Sequence, residues 1–167
     1  MTTFVSANTF VHTTTYITDK MLRSLQQIIR DSGLDPTKLA SEWPALDRGI
    51  RTWLGTRHLN TVVLEVADPK SALVGRWDFE IVYGYDEGGD GGMWVDTDAI
   101  RHAIKKAGLW PSVCEYEVIA VTSPGRPDVL GWSRTTLKST DGFARHSIGT
   151  TIGAAGAASA AAYWKRI

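Results

Sequence analysis

Two carboxylates one residue apart, Asp96-Thr97-Asp98, form the pattern with which sugar- and nucleotide-transfer enzymes hold Mg²⁺, because both acids fall on one turn and hard cations take oxygen ligands. The same acids also stand where a helix N-terminus attracts negative charge, and no glycine-rich phosphate loop accompanies them, so capping is the preferred reading. Asp86, Glu87 and Asp90 could offer oxygens to Ca²⁺, but their spacing is not that of an EF-hand loop and neither GxGxxG nor a P-loop lysine is present. His12, His58, His102 and His146 are far apart, with no HExxH-like spacing, and read as surface or structural residues. The single cysteine, Cys114, reads as a small buried hydrophobe rather than half of a Cys-His pair. No metal or cofactor site is expected.

The elements that would position any site follow from local patterning. Residues 1–18 carry no charge and are rich in threonine. Phe10, His12, Thr14 and Tyr16 alternate with Val11, Thr13, Thr15 and Ile17, which predicts a strand over 8–16 after a loose stretch to residue 7. Thr18 then reads as an N-cap for a helix carrying Met21, Leu22, Leu25, Ile28 and Ile29, ended by Gly33. Asp35-Pro36 opens a second helical series, Leu39 to Leu54, which Pro44 either kinks or divides.

Residues 61–67 and 75–84 predict an antiparallel hairpin, with Trp77, Phe79, Ile81 and Tyr83 on its buried face. The stretch DEGGDGG, 86–92, predicts a mobile loop. Asp96 caps a helix to Ala107 that Gly108 and Pro111 stop, and 113–122 alternates as a strand with Tyr116, Val118 and Ala120 on one side. The closing GAAGAASAAA reads as a poor helix or a flexible tail. This order of elements is α+β.

With 167 residues the chain suits one domain, 1–167, able to bury about 70% of its unfolded surface. Eighteen basic and eighteen acidic residues cancel, which argues against a partner tracked through its phosphates, so no direct nucleic-acid binding is expected. No basic leader and no long apolar run occur, and one cysteine suits a reducing compartment, so a cytoplasmic protein with no membrane partner is expected. Of seven tryptophans, Trp94, Trp110, Trp132 and Trp164 fall at element edges, where aromatic side chains either close the core or grip a partner. Together they favour a binding module.

The order of elements, with the strings GRWDFEIVYGY, MWVDTDAI, PGRPDVLGWSRTTLKSTDGF and SIGTTI, resembles the bacterial branch of the HORMA-domain family over residues 8–152. The resemblance implies a HORMA-like α+β fold with a three-stranded antiparallel sheet (61–67, 75–84, 113–122), a long first helix, a core over 8–122 and a mobile C-terminal safety belt at 124–167. It also implies a non-enzymatic adaptor that holds a closure-motif peptide under the belt and then activates a cGAS/DncV-like nucleotidyltransferase (CD-NTase) in CBASS anti-phage operons. An AAA+ ATPase reopens it. On this mapping the peptide adds to the edge of 113–122 beside Tyr116, Val118 and Ala120, with Ile100 and Ile104 as pocket walls and Trp132 as a lid. Thr2, Thr3, Phe4, Val5, Ser6 and Ala7 form the handle that the ATPase engages. The competing reading is a small metal- or nucleotide-dependent enzyme built on Asp96 and Asp98.

Overall fold

A computed structural model describes residues 7–84 and 92–167. Among these residues three helices, α1 (Ala7–Asp31), α2 (Thr37–Gly55) and α3 (Thr97–Ala107), accompany six strands: β1 (Leu59–Ala67), β2 (Leu73–Tyr83), β3 (Trp94–Val95), β4 (Glu115–Thr122), β5 (Phe143–Ala154) and β6 (Ala157–Arg166). The strands form one antiparallel sheet in the order β3-β5-β6-β2-β1-β4. The expected hairpin is β1–β2, with Leu64 opposite Trp77 and Val62 opposite Phe79.

Alternation gives the sheet two different faces. Val62, Leu64, Val66, Trp77, Phe79 and Ile81 point at the helices and share one core with Ile17, Met21, Leu25, Ile28, Ile50 and Trp53. On the other face lie Val63, Glu65, Asp78 and Ile119, also buried. There Arg76 Nε and Nη2 donate to Asp78 at 2.7 and 3.1 Å, and the Trp164 indole N–H donates to Asp78 Oδ2 at 3.0 Å.

Three expectations are overturned. Residues 8–16 are helix, not strand: α1 runs unbroken from Ala7 through Thr18, which is fully buried inside it rather than capping it. Threonine's β propensity yields to tertiary contact. Thr13 and Thr14 are buried, Thr13 Oγ1 donates to the Ala155 carbonyl at 2.7 Å and Thr14 Oγ1 to the Val11 carbonyl at 2.9 Å. Counted as small core residues, these threonines extend the helical series Phe10, Thr13, Thr14, Ile17, Thr18, Met21.

The Ala/Gly-rich end is neither helix nor tail. It forms β6 and its turn, and the turn's second residue, Gly156, has φ +89°. Alanine is a poor strand former, but β6 lies between β2 and β5, where Ala161 faces Phe79 and Ser159 faces Ile81. Small residues fit beside that aromatic strand, and Tyr163 packs on Trp77 with ring centroids 5.4 Å apart. The sheet is therefore six-stranded, not three-stranded. α2 is continuous through Pro44. Residues 1–6 and the acidic Asp86, Glu87 and Asp90 lie outside the described residues.

Candidate functional site

β4 pairs with β1 alone, so its other edge carries no strand partner among the described residues. The Tyr116 carbonyl points to that edge, where Lys38 Nζ donates to it at 2.6 Å. By the alternation of an antiparallel ladder, Val118 and Ala120 turn their backbone groups the same way.

The chain leaving β4 has to reach β5, four strand spacings away. Residues 123–142 make that journey without a regular element. They first run along α2: Trp53 Nε1 donates to the Pro127 carbonyl at 2.7 Å, Arg126 lies over the Trp53 ring at 4.8 Å, and Arg48 Nη2 donates to the Leu130 carbonyl at 3.3 Å. Trp132 then anchors them. Its indole N–H donates to the Ala45 carbonyl at 2.7 Å, it meets Trp53 edge-on at 5.0 Å, and it fills the notch left by Gly49, where any side chain would overlap the ring. Beyond it, the Lys138 N–H donates at 2.6 Å to Glu65 Oε2 on the opposite face of the sheet. The segment thus starts on the helix side, passes outside the β4 edge and ends on the far side, as a strap. Between strap, α2 and β4 lies a cleft of about 590 Å³.

Of the residues singled out from sequence, Val118, Ala120 and Trp132 line this cleft. Tyr116 lies beneath it: its hydroxyl donates to the Asp35 carbonyl at 2.7 Å and accepts from the Leu39 N–H at 3.0 Å, and burial pushes its pKa up. Asp35, which precedes the Pro36 N-cap of α2, accepts from Thr37 Oγ1 at 2.6 Å and from the Thr37 N–H at 2.9 Å, contacts that lower its pKa. Ile100 and Ile104 do not join the others. They are core residues of α3, which packs against α1, β5 and β6, while the helix bordering β4 is α2. The sequence places α3 just before β4 in the chain, and chain proximity is not spatial proximity here. Ala7 opens α1, and Thr2 to Ser6 lie outside the described residues.

Asp96 Oδ1 accepts from the Ala99 N–H at 3.0 Å and so caps α3, while Asp98 pairs with Arg101 at 2.6 Å. Among the described residues no three His, Cys, Asp or Glu side chains come together to hold a metal, and no helix is long and apolar enough to cross a membrane. Cys114 is buried, and burial, with Asp68 nearby, raises its pKa, which keeps the thiol protonated.

Sequence reasoning missed Trp53, Lys38, Gly49 and Glu65. Two of these carried a signal. Gly49 interrupts a helical apolar series, and Glu65 is a lone charge in the apolar strand TVVLEVA.

A sheet with an unpaired edge and a strap outside it, packed under three helices, is the architecture of a HORMA domain. All 167 residues match the family Bacterial HORMA domain 2, and the chain belongs to it. Among solved structures, a chain of the mitotic checkpoint complex has a TM-score of 0.79 at 9% identity, covering 99% of both chains. C. elegans HTP-2 bound to the HIM-3 closure motif has 0.66 at 11%, covering 89% of both. A chain of the E. coli MS115-1 CdnC:HORMA-deltaN complex has 0.56 at 10%, covering 100% of this chain and 93% of that one. No curated protein matches the sequence.

Proposed function

We propose that this protein is a non-catalytic adaptor that captures an extended closure-motif peptide as an added strand on β4, with the strap closing over it. The peptide-bound form would dock on and activate a CD-NTase of a CBASS anti-phage system in the bacterial cytoplasm. Reopening by an AAA+ ATPase pulling on residues 2–7 completes the cycle. The observation that carries the reading is the cleft between the unpaired β4 edge and the strap. Backbone groups of Val118 and Ala120 supply sequence-independent pairing, and Leu46, Trp53, Val118 and Trp132 supply apolar side-chain contacts. The closure-motif complex of HTP-2 and the CdnC:HORMA complex support the two partners by their likeness in fold.

A displayed library of random extended peptides, panned against the purified protein, tests the first step. Enriched peptides should dissociate slowly, and Ala120→Phe, which fills the cleft, should abolish capture. Asp98→Asn should leave capture within a few-fold of wild type. Failure to enrich any peptide, or metal-dependent turnover by the isolated protein that Asp98→Asn removes, would overturn the reading.

A further inference from the structure

Between Ser133 and Asp141 the strap is almost unattached. Residues 133–137 are all exposed, and among the described residues a single hydrogen bond ties this stretch to the strands beneath it, β1, β2 and β4. That bond is the Lys138 N–H to Glu65 Oε2. Glu65 is only 3% exposed, and a carboxylate at that depth is costly unless its oxygens are matched. Its neighbours in register do not match it. Glu117 on β4 is another acid, and the guanidinium of Arg76 on β2 forks onto Asp78. The strap's own amide is therefore the donor placed on this buried charge, and the attachment is charge-assisted, stronger than an ordinary backbone bond.

We propose that Glu65 is the clasp of the strap: a positioning residue that fastens residues 133–141 to the far face of the sheet and so sets how long the cleft stays shut. The Trp132 anchor fixes the strap on the helix side, and the Glu65 clasp fixes it on the other. A chain lying along β4 is released only when the span between these two points swings away. Glu65 touches no ligand in this scheme; it acts through Lys138.

The clasp is testable on the protein alone. Amide hydrogen exchange at Lys138 and limited proteolysis within 133–137 should accelerate roughly ten- to hundredfold in Glu65→Leu, which has no acceptor, and less in Glu65→Gln, which keeps a neutral one. Lys138→Pro removes the donor and leaves the acid; cutting should rise by a similar factor, and the double variant should cut no faster than the faster single one. Amides paired between β1 and β2 should keep wild-type rates, a readout that a general loss of stability would move. The clasp is overturned if strap exchange in Glu65→Leu is unchanged, or if the β1–β2 amides accelerate as much as the strap. Should Glu65→Leu fail to fold, Lys138→Pro decides, and unchanged cutting there refutes the proposal. The consequence for residence time rests on the adaptor reading. A peptide selected by the wild-type protein should leave Glu65→Leu faster by the same factor as the exchange. If wild type retains no peptide, that reading fails while strap exchange still judges the clasp.

Discussion

At one end of the sheet β5 is covered by two residues of β3, with Trp94 opposite Gly153 and Val95 opposite Ile152, and the next amide, that of Asp96, donates to the Thr151 carbonyl at 2.7 Å. At the other end β4 faces a strap that never pairs with it. Both arrangements use the same device, a tryptophan indole seated where a glycine has no side chain: Trp94 on Gly153 and Trp132 on Gly49. The difference lies in which element carries the glycine. Gly153 is on β5 itself, so its tryptophan draws the following chain into the ladder and covers the β5 edge from Thr151 to Gly153. Gly49 is on α2, one layer above the sheet, so its tryptophan holds the strap off the edge and leaves the ladder open. Unpaired edges invite association, and here one is plugged while the other is kept unpaired behind a strap.

The most damaging way to break the comparison is Trp132→Ala, which deletes the indole's seat, its edge contact with Trp53 and its bond to Ala45. On the scale of aromatic truncations, and allowing for partial exposure, it should cost roughly 2–3 kcal/mol of strap attachment, about a 30- to 150-fold faster dissociation of a captured peptide by stopped flow. Gly49→Ala comes next. Helix propensity alone would make it stabilising by about 1 kcal/mol, yet the added methyl overlaps the Trp132 ring. We expect faster cutting in the strap with little change in melting; slower cutting would show that the notch is not what seats the indole.

Gly153→Ala is the matching change at the other end. It should dislodge Trp94 and raise amide exchange on the outer side of β5 by about tenfold, leaving the strap untouched. The smallest effect concerns the β4 end of α2. Asp35 has its pKa lowered from 3.8 by its bonds to Thr37, so its contribution is present above the unfolded value and is lost as pH falls through the folded one. Asp35→Asn should therefore shift the urea midpoint slightly at neutral pH and converge with wild type as the pH falls below the carboxyl's lowered folded-state pKa.

The elements with strong period, α2, β1, β2, α3 and β4, were legible because each buries one face against the same core. The first half of α1 was not, because threonine counts as polar in a pattern and as small in a core, and the partner that decides between the two, Ala155, comes from the far end of the chain. The C-terminal strands were hidden for a related reason. Alanine gives no strand signal of its own, and β6 is a strand because β2 and β5 lie on either side of it. At the site, strand alternation put Val118 and Ala120 on one side of their strand and composition put Trp132 in a turn-rich segment, but only the HORMA resemblance joined them in one site. α2 as the cleft's wall could not be, since nothing local says which helix lies over β4.

The place of β6 in the sheet also bears on the order in which the molecule assembles. The hairpins β1–β2 and β5–β6 close over short loops, but joining them pairs Arg76 with Trp164 and Tyr83 with Ala157, residues roughly half the chain apart. Contacts so distant in sequence are entropically late. Until they form, β2 has a bare outer edge flanked by Trp77, Phe79 and Ile81, so a half-built molecule displays an unpaired strand rich in aromatic side chains at the middle of its future sheet. Refolding at rising protein concentration should lose yield at this step, and a peptide with the sequence of β6 added in trans should restore it.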